Sequence, residues 1–199
     1  MRKEFQKNAN LELNPNVSVD CVIFGFDFDK LNVLVINRSG EGGAQWALPG
    51  NLIYDNEHLD QAANRVLEEL TGLQNIYLEQ IGAFGDPNRI SKESDRSWLQ
   101  AVRAQPDARV ITVAYFSLVK MEDYQPQASS FAKSAEWIPL NEIKELAFDH
   151  FEILQIRAAT GHRSPASKHS SRQSSCAVNE SFTSCCKIMT CCHWHSLLY

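Results

Sequence analysis

The segment from Leu59 to Thr71 constrains the fold most, because its apolar residues recur at the spacing of an amphipathic helix. Such a helix is stable only when its apolar stripe is buried against another layer. Gly72 can end the helix in a left-handed conformation, and Asp55 or Asn56 is expected to cap its start. The stripe consists of Leu59, Ala62, Ala63, Val66, Leu67 and Leu70.

Segments rich in β-branched and aromatic residues flank this helix and supply the layer that it needs. The predicted strands are Val17–Phe26, Leu31–Asn37, Trp46–Gly50, Ile76–Phe84, Val110–Val119 and Glu136–Pro139. The first two are expected to form a hairpin around a turn at Asp27 to Lys30, and Ser39 to Gly43 reads as a Gly-rich loop. Further helices are predicted at Asp95–Arg103, Asn141–Leu146 and Phe151–Arg157. Strands flanked by a few helices predict an α/β (α+β) sandwich.

The composition changes abruptly near Ile156, and this change divides the chain of 199 residues. We predict an N-terminal extension (1–16), one folded domain (17–156) and a tail (157–199) rich in Ser, Cys and His that has no helical or strand period. Three interpretations of the tail are open: a zinc cluster, a disordered segment, or a shifted reading frame in place of the original C-terminus. The zinc interpretation would use Cys185, Cys186, Cys191, Cys192, His193 and His195, although adjacent cysteine pairs fit zinc geometry poorly.

Composition also restricts the location and partners of the protein. No apolar run reaches the roughly 18 residues that cross a bilayer, and the N-terminus lacks the apolar core of a signal peptide. A single cysteine in the folded region, Cys21, fits a reducing compartment. We therefore expect a cytoplasmic protein that does not bind membranes. The formal net charge of −5 argues against non-specific binding of nucleic acid.

The segment WALPGNLIYDNEHLDQAANRVLEELTGL, from Trp46 to Leu73, carries the functional argument. It resembles the Nudix box, G-x5-E-x7-R-E-U-x-E-E-x-G-U, in which U is apolar. Aligned on Gly72, the first glutamate of the box falls on Glu57 and the arginine on Arg65. The box glycine is replaced by Asn51, which follows Gly50 and which we expect to tolerate the turn. The resemblance implies a Nudix-fold α/β/α sandwich with a mixed sheet over roughly Val17 to Ile156.

The same alignment shows that two of the three helix glutamates of the family are missing. In Nudix hydrolases these glutamates hold the Mg²⁺ ions that neutralise a pyrophosphate during its cleavage. Here Val66 and Leu70 occupy two of the positions, and only Glu69 remains. An apolar strip cannot ligate Mg²⁺, and it raises the cost of placing a bare ion nearby. Magnesium is therefore expected only if the protein is a hydrolase with a shifted site, for which Glu57, Glu68 and Glu69 are the candidate ligands.

The remaining candidate site residues have structural as well as functional interpretations. The resemblance implies that Glu57 pairs with Arg65 and holds the loop on the helix. Glu69 could be only an ion-pair partner of Arg65, four residues earlier, and Glu68 points about 100° away from Glu69. We predict a ligand pocket that includes Arg38, Gly50, Asn51, Glu57, Arg65, Phe84 and Arg89. Arg38 could meet a phosphate or remain a solvated charge.

A narrower resemblance links the chain to Nudix-related transcriptional regulators of NAD metabolism and sugar use. The segments that carry it are Arg65 to Arg89, Arg109 to Val119 and Ala135 to His150. Regulators of this kind bind ADP-ribose or a sugar in the Nudix pocket, act as dimers, and bind DNA through a C-terminal winged helix. The tail shows no winged-helix pattern and no basic recognition helix, so DNA binding is expected only if such a domain is present.

Three functions are compatible with these observations. The first is a ligand-sensing domain that binds ADP-ribose, a nucleotide-sugar or a sugar without efficient hydrolysis, and that forms a homodimer. The second is a Nudix hydrolase that cleaves a nucleoside diphosphate-linked substrate with a shifted Mg²⁺ site. The third is a structural or interaction protein with no small ligand. Loss of the helix carboxylates beside a retained Glu57 and Arg65 favours the sensor.

Overall fold

The computed structural model describes residues 12–38 and 46–160, with side chains through residue 155. The predicted Gly-rich loop and the candidate zinc ligands of the tail lie outside the described residues. The described residues form ten main helices and strands. They are β1 (Leu13–Phe26), β2 (Leu31–Arg38), β3 (Trp46–Ala47), β4 (Gly50–Tyr54), α1 (Leu59–Thr71), β5 (Glu79–Phe84), α2 (Glu93–Val102), β6 (Ile111–Lys120), β7 (Ala132–Pro139) and α3 (His150–Thr160).

Within the described ranges the strands form one seven-stranded mixed sheet with β1 near its centre. The order β3-β2-β1-β6-β5 is extended by β4, which pairs with β1, and by β7, which pairs with β2. Only the β1–β6 pair is parallel among these, and the predicted β1–β2 hairpin is confirmed. The predicted fold class, a mixed α and β sandwich, is also confirmed.

Alternation along β1 sends side chains to opposite faces of the sheet and so creates two cores. Cys21 and Ile23 pack under α1 with the apolar stripe of that helix. Val22 and Phe24 pack on the other face with Ile153 and Leu154 of α3. Asp20 shares the second face and is almost fully buried, which makes it an exception among the apolar residues of this strand.

Helix α1 has the predicted span, but its N-terminal cap differs from the prediction. The helix ends at Gly72, whose φ of 70° is left-handed and whose N–H donates to the carbonyl of Glu68. The predicted cap, Asp55 or Asn56, is wrong, because His58 is the N-cap residue. A turn closed by the N–H of Glu57 and the carbonyl of Tyr54 holds residues 55 and 56 before the helix begins.

The predicted helix Asn141–Leu146 is also wrong. Only a short 3₁₀ turn forms, at Leu140–Glu142. The backbone beyond it binds other parts of the fold: the carbonyl of Leu146 accepts from Lys92, and the N–H of Ala147 donates to Trp46. These contacts fix the end of the segment against other parts of the fold, so tertiary contacts override the local helix propensity.

Several strand boundaries also differ from the predictions. β1 and β7 begin four residues earlier than expected, at Leu13 and Ala132. The strand predicted from Ile76 begins only at Glu79, because Ile76 is buried in the core beneath α1 without pairing. The strand predicted at Trp46–Gly50 is divided between β3 and β4, since the N–H of Cys21 reaches the carbonyl of Pro49 at the break.

Gly50 lies opposite Asp20 in the β1–β4 pair and has no room for a side chain. A Cβ atom at Gly50 would overlap the carboxylate of Asp20 and come within 3.0 Å of the carbonyl of Val19. The glycine is therefore required by the close approach of β4 to a buried carboxylate.

We expect Gly50→Ala to lower the free energy of unfolding by about 1–3 kcal/mol, the usual cost of overpacking. Chemical denaturation measures this change. Asp20→Ala provides the control, because the alanine at residue 50 should cost clearly less once the carboxylate is removed. Equal costs in both backgrounds would contradict the assignment of the clash to Asp20.

Candidate ligand-binding site

A cavity of about 310 Å³ lies beside the start of β4. Its walls come from β1 and β4 through Asp20 and Asn51, from the loop after β5 through Arg89, and from α2 through Trp98 and Arg103. This volume is at the lower end of the range for small-molecule sites, which combine apolar walls with a few polar groups.

A buried ion-pair network closes one wall of the cavity. The Arg89 guanidinium makes two hydrogen bonds to Asp149, from Nε to Oδ2 at 3.0 Å and from Nη2 to Oδ1 at 2.7 Å. Its Nη2 also lies 3.4 Å from Oδ2 of Asp20. The network therefore joins β1, the loop after β5 and the residue that precedes α3.

His150 completes this network from the first position of α3. Its Nδ1 accepts a hydrogen bond from the N–H of Leu48 at 3.0 Å, so the neutral ring carries its proton on Nε2. That nitrogen lies 3.4 Å from Oδ1 of Asp20. Both side chains are nearly fully buried. The imidazole is thus fixed in one orientation between a backbone donor and a carboxylate.

The groups that surround Asp20 decide whether its carboxyl group is ionised. Burial by itself would raise the pKa of Asp20, but His150 and Arg89 together outweigh burial and hold the pKa well below its usual range. For Arg89, burial alone would lower the pKa, and the two carboxylates more than reverse that effect. Asp20 is therefore ionised at neutral pH, and its carboxylate oxygens face Arg89 and His150.

Arg38 lies in a second, aromatic part of the cavity and is not a solvated charge. Its Nη2 donates to Oδ1 of Asp95 at 2.7 Å, and both side chains are buried. Its guanidinium carbon lies 4.7 Å from the ring centres of both Trp98 and Phe148. Asp95 also accepts the N–H of Phe148 at 2.8 Å. Phe148 has a φ of 55°, which is rare for a bulky residue, and these contacts fix it there.

Arg103 is the third arginine of the cavity, and it is half-buried at the end of α2. Burial, more than the nearby Arg89, lowers the pKa of Arg103 to about 10, although Asp20 acts in the opposite direction. The group is therefore still a cation at neutral pH. No ion pair or side-chain hydrogen bond of Arg103 is found among the residues that the structure describes.

A separate cluster holds the Nudix-box residues Glu57, Arg65 and Glu69. Arg65 binds Glu57 through two hydrogen bonds, of 2.6 and 2.7 Å, and Glu69 through one of 3.0 Å. Its guanidinium also lies over the ring of Tyr54 and donates to the carbonyl of Leu52. Arg65 therefore fastens β4 to α1, and its two carboxylate partners neutralise it.

The helix positions that bear metal-ligating glutamates in the family are buried here. Val66 is 0% and Leu70 is 1% exposed, and both pack in the core beneath α1. Glu68 lies on the outer side, where it accepts a hydrogen bond from Gln74. Over the described ranges no group of three or more His, Cys, Asp or Glu side chains could hold a metal ion. The residues present do not fit a Mg²⁺ site at the box.

Four of the residues predicted for the pocket line the cavity: Arg38, Gly50, Asn51 and Arg89. Asn51 needs no left-handed conformation, because it lies in β4 with an ordinary φ and its side chain accepts the N–H of Leu52. The other predicted residues lie elsewhere. Glu57, Arg65, Glu68 and Glu69 form the contacts of α1 described above, and Phe84 is partly buried against the core on the opposite face of the sheet.

Sequence reasoning did not find Asp20, Trp98, Arg103, Phe148 or His150, all of which line the cavity. A single carboxylate inside the apolar run of β1 was the available signal for Asp20, since a buried charge needs a partner. Trp98 lies on α2 and Arg103 directly follows it, in a segment without any recognisable motif. His150 and Phe148 are brought to the cavity by the entry into α3, which no local pattern specifies.

Comparison with known proteins assigns the chain to a family. The NUDIX domain model matches residues 14–155, so the chain belongs to the NUDIX domain family. Over 147 residues it is 33% identical to the ADPR responsive transcriptional repressor NtrR of Acinetobacter baylyi, covering 71% of this chain and 52% of that protein. The chain thus spans about half the length of this relative.

Two further proteins similar to this chain are an archaeal enzyme and a bacterial NUDIX domain. The chain is 26% identical over 155 residues to an ADP-ribose pyrophosphatase of Methanocaldococcus jannaschii, covering 78% of this chain and 80% of that protein. It also resembles the NUDIX domain of Shewanella oneidensis NrtR, solved in complex with ADP ribose. That match has a TM-score of 0.57 and 26% identity, and it covers 76% of this chain and 90% of the other.

Among the described residues, every helix is too short or too polar to span a bilayer.

We expect the double substitution Val66→Glu with Leu70→Glu to destabilise the protein by at least several kcal/mol, because two unpaired carboxylates would enter the core. Thermal and chemical denaturation measure the loss. Asn64→Glu on the exposed side of α1 is the control and should change stability by less than about 0.5 kcal/mol. Similar stability of the two variants would contradict the packing of Val66 and Leu70.

The lowered pKa of Asp20 predicts a pH-dependent contribution to stability. Ionised Asp20 contributes fully above its unfolded value, at about pH 4, and the contribution is lost as the pH falls through the lower folded value. The difference in unfolding free energy between wild type and Asp20→Asn should therefore shrink below about pH 4. The exposed Asp29→Asn serves as the control. A difference that is constant with pH would refute the prediction.

Proposed function

We propose that the chain is a NUDIX ligand-sensing domain that binds ADP-ribose, or a related nucleotide-sugar, in the cavity between β4 and α2 without efficient hydrolysis. The observation that carries this proposal is the combination of a formed cavity and an apolar helix α1. Aromatic and guanidinium groups line the cavity, as in sites that bind a base and a phosphate group. The two missing carboxylate positions of α1 are buried in the core.

The relatives support this ligand class and differ on turnover. One is named as an ADP-ribose-responsive repressor and another as an ADP-ribose pyrophosphatase. The contacts of α1 favour binding without turnover, as in a ligand-responsive repressor. Glu57 and Glu69 are both held by Arg65, so releasing either one for Mg²⁺ would leave Arg65 with less compensation. A homodimer and a cytoplasmic location are further predictions of the regulator interpretation, whereas DNA binding is predicted only if a winged-helix domain is present.

Within this proposal the residues of the cavity have defined roles. Asn51 and the backbone of β4 form its floor. Arg89 is held in place by Asp149 and Asp20, and Arg38 is held by Asp95, so both guanidinium groups are pre-positioned before any ligand arrives. Pre-positioned donors increase affinity because little side-chain entropy is lost when the ligand binds.

We expect ADP-ribose to raise the melting temperature of the protein in a concentration-dependent way, since a ligand that binds only the folded state stabilises it. We expect no cleavage of ADP-ribose with either Mg²⁺ or Mn²⁺. Differential scanning fluorimetry and chromatographic detection of AMP measure the two outcomes.

The control for turnover is Glu69→Gln, which removes the one family glutamate that remains on the helix. Metal-dependent turnover in the wild type that is lost in this variant would make the protein a hydrolase with a shifted metal site. The absence of stabilisation by ADP-ribose, by other nucleoside diphosphate compounds and by sugars would instead favour an interaction protein.

A further inference from the structure

The three arginines of the cavity differ in how their charges are compensated. Arg38 is paired with Asp95, and Arg89 is paired with Asp149 and Asp20. Arg103 makes no ion pair within the described ranges, although it lines the same cavity. Two arginines of the cavity, Arg38 and Arg89, are therefore paired with carboxylates of the protein. The guanidinium of Arg103 is not paired with a carboxylate of the described residues.

Arg103 is held at the end of α2 with its charged side chain partly removed from water. It follows the last residue of α2, and its N–H donates to the carbonyl of Leu99 at 2.8 Å, so its backbone is fixed by the helix end. Its side chain is half-buried, which removes part of the hydration that would otherwise stabilise the charge. Burial accordingly lowers the pKa of Arg103, and Arg89 adds to this effect while Asp20 only partly offsets it. An anion in the cavity would compensate the charge.

Among the residues with described positions, none supplies an equivalent cation at α1. Arg65 is neutralised there by Glu57 and Glu69, and metal ions have no cluster of ligands among the described residues. A ligand that carries phosphate would therefore be without a counter-charge at α1 and would find one at the end of α2.

We propose that Arg103 supplies the positive charge that a bound anion compensates, beside the donors of Arg38 and Arg89, and that it selects ligands with a phosphate or diphosphate group over neutral sugars. This inference rests on the proposed function and narrows its ligand class. Trp98, Phe131 and Phe148 line the same cavity and provide the apolar surface for the remainder of a nucleotide. A guanidinium fork matches the oxygen atoms of a phosphate in pairs, which an ammonium group does not.

The competing explanation is structural: a cation at the C-terminus of a helix interacts favourably with the helix dipole. Under that explanation Arg103 would contribute to the stability of α2 and would not affect ligand affinity. Measuring stability and affinity separately distinguishes the two roles.

The test uses the full chain and three variants: Arg103→Gln, Arg103→Lys and Arg96→Gln. Arg96 lies on α2 with an exposed side chain and does not line the cavity, which makes it a matched control. Isothermal titration with ADP-ribose, inorganic pyrophosphate and ribose gives the affinities, and denaturation gives the stability of each variant.

Arg103→Gln should weaken ADP-ribose binding by about tenfold to a hundredfold, the range expected for a lost charge-assisted hydrogen bond. Arg103→Lys should recover part of the affinity, and Arg96→Gln should bind as the wild type does. The wild-type affinity should fall more steeply with salt than that of Arg103→Gln, because screening acts on the charge that the variant lacks. Ribose alone should bind far more weakly than either phosphate compound.

The possible failures separate this inference from the proposed function. Equal affinity of the wild type and Arg103→Gln for ADP-ribose would overturn the role of Arg103 and leave the ligand class intact. Lower stability of Arg103→Gln with unchanged affinity would assign the residue to the helix end and also overturn the inference. Binding of pyrophosphate that requires Arg103, without any binding of ADP-ribose, would support the inference and refute the proposed ligand. No binding of either compound by the wild type would overturn both.

Discussion

The buried carboxylate of Asp20 is the constraint on which the cavity wall depends. A charge in the middle of a central strand is costly to desolvate unless partners surround it. Here Arg89 and His150 supply those partners from two different parts of the chain. Gly50 must be a glycine because the neighbouring strand passes directly over the carboxylate. One buried charge thereby fixes the position of β4, of the loop after β5 and of the start of α3.

This network illustrates why an ion pair can be important without adding much net stability. Replacing a buried pair with apolar groups is often neutral or even stabilising, whereas removing one partner is costly. The role of Arg89 is then better understood as positioning: it brings Asp149 and α3 to the cavity and keeps a donor-rich wall rigid. The same reasoning applies to Arg38, whose pairing with Asp95 holds Trp98 and Phe148 in contact with its guanidinium.

Helix α1 combines a retained box contact with two apolar positions that serve packing. Arg65 still joins β4 to the helix through Glu57, so the loop keeps its shape. Two of the metal positions, Val66 and Leu70, now extend the apolar stripe into the core. The NUDIX fold therefore accommodates apolar residues at two positions of the box, because the contacts that hold the box loop on the helix come from Glu57 and Arg65 and not from those positions.

Local patterns in the sequence determined the fold class, helix α1 with its glycine end, the β1–β2 hairpin and the Glu57–Arg65 contact. These features depend on periodicity, on turn residues and on a motif whose members lie close together in the chain. Local patterns did not determine the cavity. Asp20, Arg103 and His150 are far apart in the sequence, and of these only Asp20, a carboxylate within an apolar strand, is unusual in its own segment. Only the tertiary structure brings them together, because strand pairing and the entry into α3 set those distances. The tertiary structure also replaces the predicted helix at Asn141–Leu146, whose end is held by contacts to distant residues.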